Sequence, residues 1–512
     1  MSSSSSGVRR FANARVYSYL PERDEYSVYG GLVLDGARIV SLDERDAAAG
    51  RTWVDLDGMT VVPAFADCHV HITDTGFMLG AHNLSAVRSY DQFAVRVGAL
   101  PRGDFVFGGN YDESDWHDGK LADAAPIEHF FADSLAMLTR VDGHSCVVNR
   151  KTLRWLSLAP ALRGIEKNRD GQPTGKLLLD ANWQAQFKFF GAIPQPMRRA
   201  AEESATKIAL SRGAVHLHAQ LVGFAKDAYA GEIDALRRIT GPKWYPKICK
   251  PDPALAKSLG LPFVGGDVFL DGSIGSCTAA VSEPFKSAVG GEGRGELNFD
   301  DAALYAYFSE AERFGIAAGV HAIGDRAIEQ CVSTWERVLE GRASVYRHFI
   351  EHFEIADETH ISRCAKLGIH LSMQPQFDLL WGGAGNMYEQ RLGQQRMRTM
   401  NALGRARRAG AVLCGGSDSP VCELAPLLGM HAAVHHHEPC ERLTPGEALT
   451  MYTHNAARLA HAENDTGRLA PGFAADFVVL DRDPMRDGDF AGTAVVQTWS
   501  NGELIYARDT SM

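Results

Sequence analysis

The chain has 512 residues, 45% hydrophobic and 22% charged, a balance that excludes a disordered chain, a fibre and a small disulfide scaffold. It has 52 lysines and arginines against 63 aspartates and glutamates, and the net charge of −11 argues against nucleic-acid or membrane binding. No run of about 18 apolar residues occurs, so we expect no membrane span. The start lacks the apolar core of a signal peptide, so we expect a cytoplasmic protein.

Short strand-like runs separated by tight turns mark both ends of the chain. We expect residues 1–20 to be a frayed tail, followed by strands at residues 26–34, 37–42 and 53–56 with Asp-Gly turns between them. Near the end, similar runs lie at residues 476–480, 494–499 and 504–506. Neither group can bury much apolar surface alone. We therefore predict one small composite β-sandwich built from residues 8–60 and 460–512.

Between these ends, apolar runs typical of buried strands alternate with helical patterns such as residues 198–211 and 300–314. The eight runs lie at residues 60–66, 214–219, 243–249, 263–270, 316–322, 346–353, 369–374 and 411–415. This alternation predicts an α/β fold, a (β/α)₈ TIM-like barrel over residues 61–459. A long insertion after strand 1, at about residues 72–212, would contain the strand-like runs 105–107 and 135–138.

Histidines and an aspartate follow several of these predicted strands, where the carboxyl ends of barrel strands meet on one face. They are His69, His71, His321, His352 and Asp418. A His-x-His pair on a strand points both rings to one side, as a shared metal requires. A lone histidine is more often a hydrogen-bonded core residue, and the pair at residues 216 and 218 is best explained in that way. The ordered set at four strand ends predicts a zinc-like site.

The motifs that surround these residues extend over most of the chain. They include VVPAFADCHVH (61–71), FLDGSIGSCTA (269–279), HAIGDRAIE (321–329), IEHFEI (350–355), GSDSPV (416–421), LTPGEALTMYTHNAA (443–457) and GRLAPGFAADFVVLDRDP (467–484). With them the chain resembles the amidohydrolase superfamily, and within it the YtcJ-like branch (amidohydrolase family 3) that includes N-substituted formamide deformylases. The resemblance implies a metal-dependent hydrolase barrel.

The resemblance also assigns site residues. It implies that all four strand-end histidines bind metal and that Asp418 contacts metal and moves a proton. One position departs from the family, because Asp267 stands where a carboxylated lysine normally bridges two metals. Asp267 could bridge if its strand moves inward, bind one metal, or bind none, and Lys247 or Lys250 could substitute for the lysine. We expect a divalent metal, with zinc favoured, one ion firmly bound and a second left open.

Further residues are candidates for catalysis and for substrate binding. His352 or His144 would stabilise the oxyanion that forms when water attacks a carbonyl. The candidate substrate-binding residues are Tyr111, Trp116, Arg140, His144 and Gln374. Core packing remains an alternative for Tyr111 and Trp116. Arg140 could instead form a structural ion pair, and Gln374 could instead cap a strand as a polar residue.

The predicted function is hydrolysis of an amide or related non-peptide C–N bond in a small organic substrate. Two alternatives stay open. The first is a lyase, deaminase or hydratase on the same metal-dependent fold. The second is a non-catalytic binding protein whose metal site has decayed. We expect a small molecule as partner, with a homodimer left open.

Overall fold

The computed structural model describes residues 8–42, 53–223, 228–286 and 293–509. Its first strand begins at Val8, the first described residue. The N-terminal strands are β1 (Val8–Ala12), β2 (Arg15–Leu20), β3 (Glu25–Tyr29), β4 (Leu32–Asp35), β5 (Arg38–Ser41), β6 (Val54–Asp55) and β7 (Thr60–Pro63). The expectation of a frayed tail was therefore wrong for residues 8–20, while residues 1–7 lie outside the described part.

The single strand expected at residues 26–34 is two strands, because the chain turns at Gly30 and Gly31 between β3 and β4. A side chain at Gly31 would place its Cβ 2.4 Å from the carbonyl oxygen of Phe11. Only glycine allows the backbone to approach β1 so closely.

An α/β insertion follows β8 (Phe65–Val70). Its elements are α1 (Ile72–Phe77), α2 (Tyr90–Gly98), β9 (Phe105–Tyr111), α3 (Ala125–Phe131), β10 (Leu135–Arg140), β11 (Ser145–Val148), α4 (Arg150–Leu156), β12 (Ile165–Lys167), β13 (Pro173–Leu178), α5 (Leu179–Gly191) and α6 (Gln195–Ser211), with 3₁₀ turns at Gly80–His82 and Glu113–Asp115. Its five strands form a sheet in the order β12-β13-β11-β10-β9. Two hydrophobic clusters contain side chains of this sheet, so the insertion has a core of its own.

Strands and helices alternate after the insertion. They are β14 (Ala214–Leu221), α7 (Ala228–Arg237), β15 (Lys243–Trp244), β16 (Lys247–Ile248), α8 (Pro253–Ser258), β17 (Phe263–Phe269), α9 (Asp301–Phe314), β18 (Ala317–Ala322), α10 (Asp325–Leu339), β19 (Phe349–His352), α11 (Glu358–Leu367), β20 (His370–Met373), α12 (Pro375–Trp381), α13 (Met387–Leu392), α14 (Gln394–Met397), α15 (Leu403–Arg408), β21 (Leu413–Gly415), α16 (Pro426–Val434), a 3₁₀ turn at Pro439–Glu441, α17 (Pro445–Met451) and α18 (His454–Leu459). Pro246 separates β15 from β16 within the predicted strand 243–249, because proline has no N–H for the strand ladder.

The parallel strands follow one another in chain order. Strand β8 pairs with β14, and β14 pairs with both β15 and β16. Strands β17 to β21 form a five-stranded parallel sheet, with β16 beside β17. A parallel bridge between Val70 and Ser419 brings the last strand back to the first. We call this set the strand ring. The predicted α/β class is confirmed, and polar side chains at the carboxyl ends of the ring share one face.

The two ends of the chain come together in antiparallel sheets. The C-terminal elements are β22 (Phe477–Leu480), α19 (Pro484–Asp487), β23 (Val495–Ser500) and β24 (Glu503–Ala507). One six-stranded sheet has the order β24-β23-β22-β7-β2-β3, and a four-stranded sheet has the order β5-β4-β1-β6. Phe11, Phe477 and Trp499 pack together, with ring centroids 5.2–5.6 Å apart. In the described ranges, no helix is both long and apolar enough to cross a membrane.

Candidate metal centre

The His-x-His pair ends strand β8. His69 is fully buried and the side chain of His71 is 17% exposed, with the two ring centroids 5.3 Å apart. Cys68 lies between them in the sequence and points to the opposite face, where it packs in a hydrophobic cluster with Cys414. The alternation of side chains along a strand thus places both imidazoles on the same side of β8.

Backbone hydrogen bonds fix Asp418 beside this pair. Oδ1 of Asp67 accepts from the backbone N–H of His69 at 3.1 Å and of Ser417 at 3.0 Å. The N–H of Asp418 donates to the carbonyl of His69 at 2.8 Å. As a result, Oδ1 of Asp418 lies 3.2 Å from Nε2 of both His69 and His71. Asp418 has φ = 57°, an uncommon left-handed conformation for a residue other than glycine.

Asp267 occupies the centre of the cluster. Its Oδ2 lies 2.9 Å from Nε2 of His71 and 3.3 Å from Nε2 of His69. Its Oδ1 lies 3.8 Å from Nδ1 of His321 and 3.9 Å from Nε2 of His352. One carboxylate therefore faces all four histidines.

A bulge in β17 brings this short side chain inward. Gly265 pairs with Gly319 of β18, yet Phe269, four residues later, pairs with the residue only two positions beyond Gly319. Two extra residues are thus accommodated in β17 directly around Asp267. Gly265 and Gly266 have φ = 82° and 106°, and a Cβ on Gly265 would lie 2.1 Å from the carbonyl oxygen of Gly319. The bulge requires both glycines and supplies the inward movement of the strand.

His321 and His352 have their outward nitrogens occupied. Nε2 of His321 donates to the carbonyl oxygen of Gly272 at 3.2 Å, and Nδ1 of His352 donates to Oε1 of Gln374 at 2.8 Å. The opposite nitrogens face Asp267 with a lone pair available. Nδ1 of His321 is buried without a hydrogen-bond partner. Metal-binding histidines are oriented by this kind of bond from the second ring nitrogen.

A buried ion pair lies behind His69. Oε2 of Glu351 is 2.9 Å from Nδ1 of His69, and Nζ of Lys247 donates to Oε1 of Glu351 at 2.6 Å and to the carbonyl of Cys68 at 2.8 Å. Burial raises the pKa of Glu351, but the positive charges of Lys247 and His69 outweigh burial and lower it to about 2. The carboxylate favours a proton on Nδ1 of His69, so Nε2 is the nitrogen that would give up its proton to bind a metal.

Neither lysine of the preceding strand takes the place of the missing bridging lysine. Lys247 is fully buried and bonded to Glu351, with its Nζ 4.4 Å from the ring centroid of Phe349. Lys250 is exposed and pairs with Asp252 at 2.9 Å. Of Lys247, Lys250 and Asp267, only Asp267 places its charged group among the clustered histidines.

The cluster concentrates negative charge. Burial lowers the pKa of His71, but hydrogen bonds and charges from Asp267 and Asp418 outweigh burial and raise it to about 10. Burial raises the pKa of Asp418, yet the neighbouring charge of His69 holds it well below its usual range. Both carboxylates are therefore ionised at neutral pH, and a bound cation would be stabilised between them.

The donor set fits a divalent metal. Nε2 of His69 and of His71 each lie 2.9–3.3 Å from Oδ2 of Asp267 and Oδ1 of Asp418. A tetrahedral set with bonds of about 2.0–2.1 Å has edges of about 3.3 Å. A further group, formed by Asp267, His321 and His352, has its ligand atoms within 4.8 Å of one another. Imidazole and carboxylate ligands suit zinc and several other divalent ions.

A cavity of about 440 Å³ opens onto the cluster. His71, Asp267, His321, His352 and Asp418 line its floor. A small organic molecule of the size that proteins commonly enclose fits in this volume. A group held on this side of the cavity would therefore contact the candidate metal ligands.

His144 reaches this cavity from the loop between β10 and β11. Its ring centroid lies 5.4 Å from that of His321 and 5.1 Å from that of Trp183. Burial lowers the pKa of His144 to about 4, and Asp142 offsets this only in part. The imidazole is therefore neutral at neutral pH and can donate one hydrogen bond.

Arg140 lines the cavity, but its guanidinium is bonded to protein carboxylates. Nε donates to Glu113 at 2.9 Å, Nη2 donates to Asp112 at 2.5 Å, and Nη1 lies 2.9 Å from Asp142. Oδ2 of Asp142 also accepts from Ser273 and Ser276 hydroxyls, both at 2.6 Å. This arrangement favours the structural ion pair over a clamp for a substrate carboxylate.

The other candidate substrate residues lie elsewhere. Tyr111 and Trp116 are buried in a hydrophobic cluster of the insertion with Phe93, outside the cavity lining. Gln374 is buried beneath His352 and orients that ring. The His216 and His218 pair faces the strand-ring core, where His216 approaches Asp476.

Several residues of the site were not anticipated. Trp183, Phe187 and Phe190 of α5, together with Phe269, form an apolar wall of the cavity. Their spacing of four and three residues along α5 was a usable helical signal. Nothing in the sequence indicated that this face of α5 meets the metal cluster, because that depends on how the insertion packs on the ring.

Known proteins are similar to this chain in sequence and in fold. A family model described as the amidohydrolase family, Amidohydro_3, matches residues 52–506. The Bacillus subtilis (strain 168) protein YtcJ is 26% identical over 96% of this chain and 98% of its own length. An N-substituted formamide deformylase from Arthrobacter pascens is 25% identical over 94% of this chain and 95% of its own. The crystal structure of an uncharacterised metal-dependent hydrolase from Pyrococcus furiosus has a TM-score of 0.73 and 25% identity, covering 94% of this chain and all of that one.

Proposed function

The chain belongs to the amidohydrolase family, and on that premise we propose that it cleaves a non-peptide carbon–nitrogen bond in a small organic amide. One observation carries the proposal: Nε2 of His69 and of His71 lie 2.9–3.3 Å from carboxylate oxygens of Asp267 and Asp418, and His71, Asp267 and Asp418 line a cavity. This arrangement joins a metal-binding donor set to a space that can hold a substrate. The resemblance to YtcJ-like hydrolases expected from the sequence is confirmed.

The architecture supports this assignment. The chain-order pairing of parallel strands around one core, with the bridge from Val70 to Ser419, supports a (β/α)₈ barrel. The two terminal sheets support the composite β-sandwich. In barrel enzymes the active site lies at the carboxyl ends of the strands. His69, Asp267, His352 and Asp418 all lie at such ends.

Zinc is the metal that we propose, with one ion firmly held by the compact set of His69, His71, Asp267 and Asp418. The wider spacing around His321 and His352 suits a second, weaker position. When bound, a divalent metal polarises the substrate carbonyl and lowers the pKa of water towards about 7. The remaining work falls to side chains of this chain.

Asp418 is the proton carrier. Its carboxylate stays ionised because His69 and His71 surround it, and it faces the cavity. It accepts a proton from the attacking water as the carbon–oxygen bond forms. It then gives that proton to the amide nitrogen as the carbon–nitrogen bond breaks, so the products are a carboxylic acid and an amine.

His144 and His352 face the reacting carbonyl from the other side. The neutral imidazole of His144 donates a hydrogen bond to the oxygen that becomes negative in the tetrahedral state. His352 is held by Gln374 at 2.8 Å, and its Nε2 faces the cluster. The ring of His144 is buried, which strengthens its hydrogen bond to the developing charge, whereas Nε2 of His352 carries a lone pair and serves as a candidate metal ligand.

The proposal is tested with zinc-loaded protein and a panel of N-substituted formamides, anilides and N-alkyl amides, with amine release as the readout. Hydrolysis in ¹⁸O-labelled water incorporates the label into the acid product. Asp418→Asn, assayed with zinc in excess so that loss of affinity does not limit the rate, should lower turnover at least about 100-fold while the fold remains. Asp91→Asn, the same change at an exposed position, should leave turnover unchanged. Product without the label, or full activity of Asp418→Asn, would contradict the mechanism.

A further inference from the structure

Helix α5 of the insertion presents an aromatic face to the cavity. Trp183, Phe187 and Phe190 follow one another at four and three residues, which is one side of a helix. Phe269 of β17 stacks on Trp183 with centroids 4.4 Å apart and the rings inclined by 19°. Phe190 is buried against Phe77, whereas Phe187 is 41% exposed at the rim. The wall opposite the metal cluster is therefore apolar and open to a ligand.

Hydrogen bonds hold this face in place. Nδ2 of Asn182 and Nε2 of Gln186 both donate to the carbonyl of Gly143, at 2.9 and 2.7 Å. Gly143 immediately precedes His144, whose ring contacts Trp183. The same interactions thus position the aromatic face and His144 relative to the cluster. A substrate whose carbonyl lies beside His144 would place its substituent against α5.

The charges of the cavity disfavour an anionic substituent. Arg140 is the only arginine among the described residues that line the cavity. Its guanidinium is bonded to Asp112, Glu113 and Asp142. Asp74 adds a further carboxyl group to the lining. Away from the metal ligands, a carboxylate on the substrate would meet no uncommitted guanidinium or ammonium group of the described lining, which there includes the carboxyl groups of Asp74 and Asp142. Burying an unpaired charge is costly.

We propose that the substrate carries an uncharged aromatic substituent, which binds against Trp183, Phe187 and Phe190 while the scissile bond lies over the metal ligands. This rests on the proposed hydrolase function and specifies its substrate class. It separates this chain from enzymes whose substrates end in a free carboxylate next to the scissile bond. Trp183 is the central contact, since it connects Phe269 and His144.

Hydroxamates test the subsite without a known substrate, because the hydroxamate group chelates metal and the substituent can be varied. Acetohydroxamate, benzohydroxamate, 2-naphthohydroxamate and 4-carboxybenzohydroxamate are titrated into zinc-loaded protein by calorimetry. We expect 2-naphthohydroxamate to bind at least about tenfold more tightly than acetohydroxamate, since it buries a ring. We expect the 4-carboxyl group to weaken benzohydroxamate binding at least about tenfold.

Variants assign the effect to α5. Trp183→Ala should bring naphthohydroxamate and acetohydroxamate within about threefold of each other, while Trp183→Phe keeps most of the preference. Zinc content and circular dichroism report whether each variant is folded. Tyr305→Ala removes an exposed aromatic side chain of α9 and should change nothing.

The outcomes distinguish failure of the aromatic subsite from failure of the proposed hydrolase function. Binding of acetohydroxamate with no gain from the ring, or a gain that survives Trp183→Ala, would overturn the aromatic subsite and leave the hydrolase proposal standing. An unweakened 4-carboxybenzohydroxamate would overturn the exclusion of anions. Failure of every hydroxamate to bind would contradict the metal centre itself, and the subsite proposal with it.

Discussion

Oδ2 of Asp267 lies 2.9 Å from Nε2 of His71, at the position where the family motif carries a carboxylated lysine. An aspartate is several bonds shorter than that side chain. Asp267 lies within the bulge that begins at Gly265 and Gly266, and from there its carboxylate reaches the histidines. The replacement and the bulge together preserve a carboxylate at the centre of four histidines.

The first prediction concerns the buried pair of Lys247 and Glu351. Glu351→Gln leaves the Lys247 ammonium buried without a charged partner and should destabilise the protein by about 3–5 kcal/mol. The double variant Glu351→Gln/Lys247→Met should recover part of that loss, because the unpaired charge is gone. Urea unfolding of the four proteins in the cycle measures both values.

The same variants separate stability from positioning of His69. In the single and the double variant alike, the zinc affinity should fall about 10- to 100-fold, since Nδ1 of His69 loses its carboxylate. Competition with a chelating dye measures this affinity. An unchanged zinc affinity in the double variant would show that Glu351 does not orient His69.

A second prediction concerns Arg140. Arg140→Ala removes the cation from three buried carboxylates and should lower the free energy of unfolding by about 3–5 kcal/mol. Arg163→Ala breaks an exposed ion pair with Asp180 and should cost about 1 kcal/mol or less. Denaturant midpoints compare the two. If Arg140→Ala left stability intact and raised KM only for carboxylate-bearing substrates, Arg140 would instead be a substrate clamp.

A third prediction follows from Glu354, which is buried and accepts a hydrogen bond from the hydroxyl of Tyr388. Burial raises its pKa from 4.5 to about 7. Below about pH 4.5 both the folded and unfolded states hold the proton, and this contribution to stability is fully present. As the pH rises towards 7, only the folded state retains the proton, so the contribution is lost.

The consequence is measured on chelator-treated protein. Between about pH 5 and pH 8, wild type should lose about 3 kcal/mol of unfolding free energy relative to Glu354→Gln, which has no proton to release. Urea titrations across this range give the difference. A constant difference would mean that Glu354 titrates alike in the two states.

The sequence was sufficient to predict which histidines and aspartates cluster, and the reason is topological. His69, His352 and Asp418 each follow a strand-like run, and parallel strands bring their carboxyl ends to one edge. That rule needs no knowledge of side-chain packing. Asp267 was proposed from the resemblance to the family motif and not from this rule, and its reach was left open, because a bulge changes which residues face inward without changing composition.

Other features depended on contacts between distant segments. A guanidinium such as that of Arg140 can bind a substrate carboxylate or a protein carboxylate. The fold places Asp112, Glu113 and Asp142 next to it, and these become its partners. Pro246 divided a strand whose apolar composition suggested continuity. Residues 8–20 were predicted to be a tail, but β2 forms a hairpin with β3 and also pairs with the later strand β7, and β1 pairs with β4.

Metal content per chain is the most direct test of the central claim that Asp267 and its neighbours form a metal centre. Purified protein is loaded with zinc, dialysed and analysed by inductively coupled plasma mass spectrometry beside Asp267→Asn and the exposed control Asp91→Asn. We expect about one zinc ion per chain in the wild type and in the control. In Asp267→Asn we expect less than about 0.2 zinc ions per chain, with the fold retained. A wild-type protein without metal, or an Asp267→Asn variant with a full equivalent, would contradict the central claim.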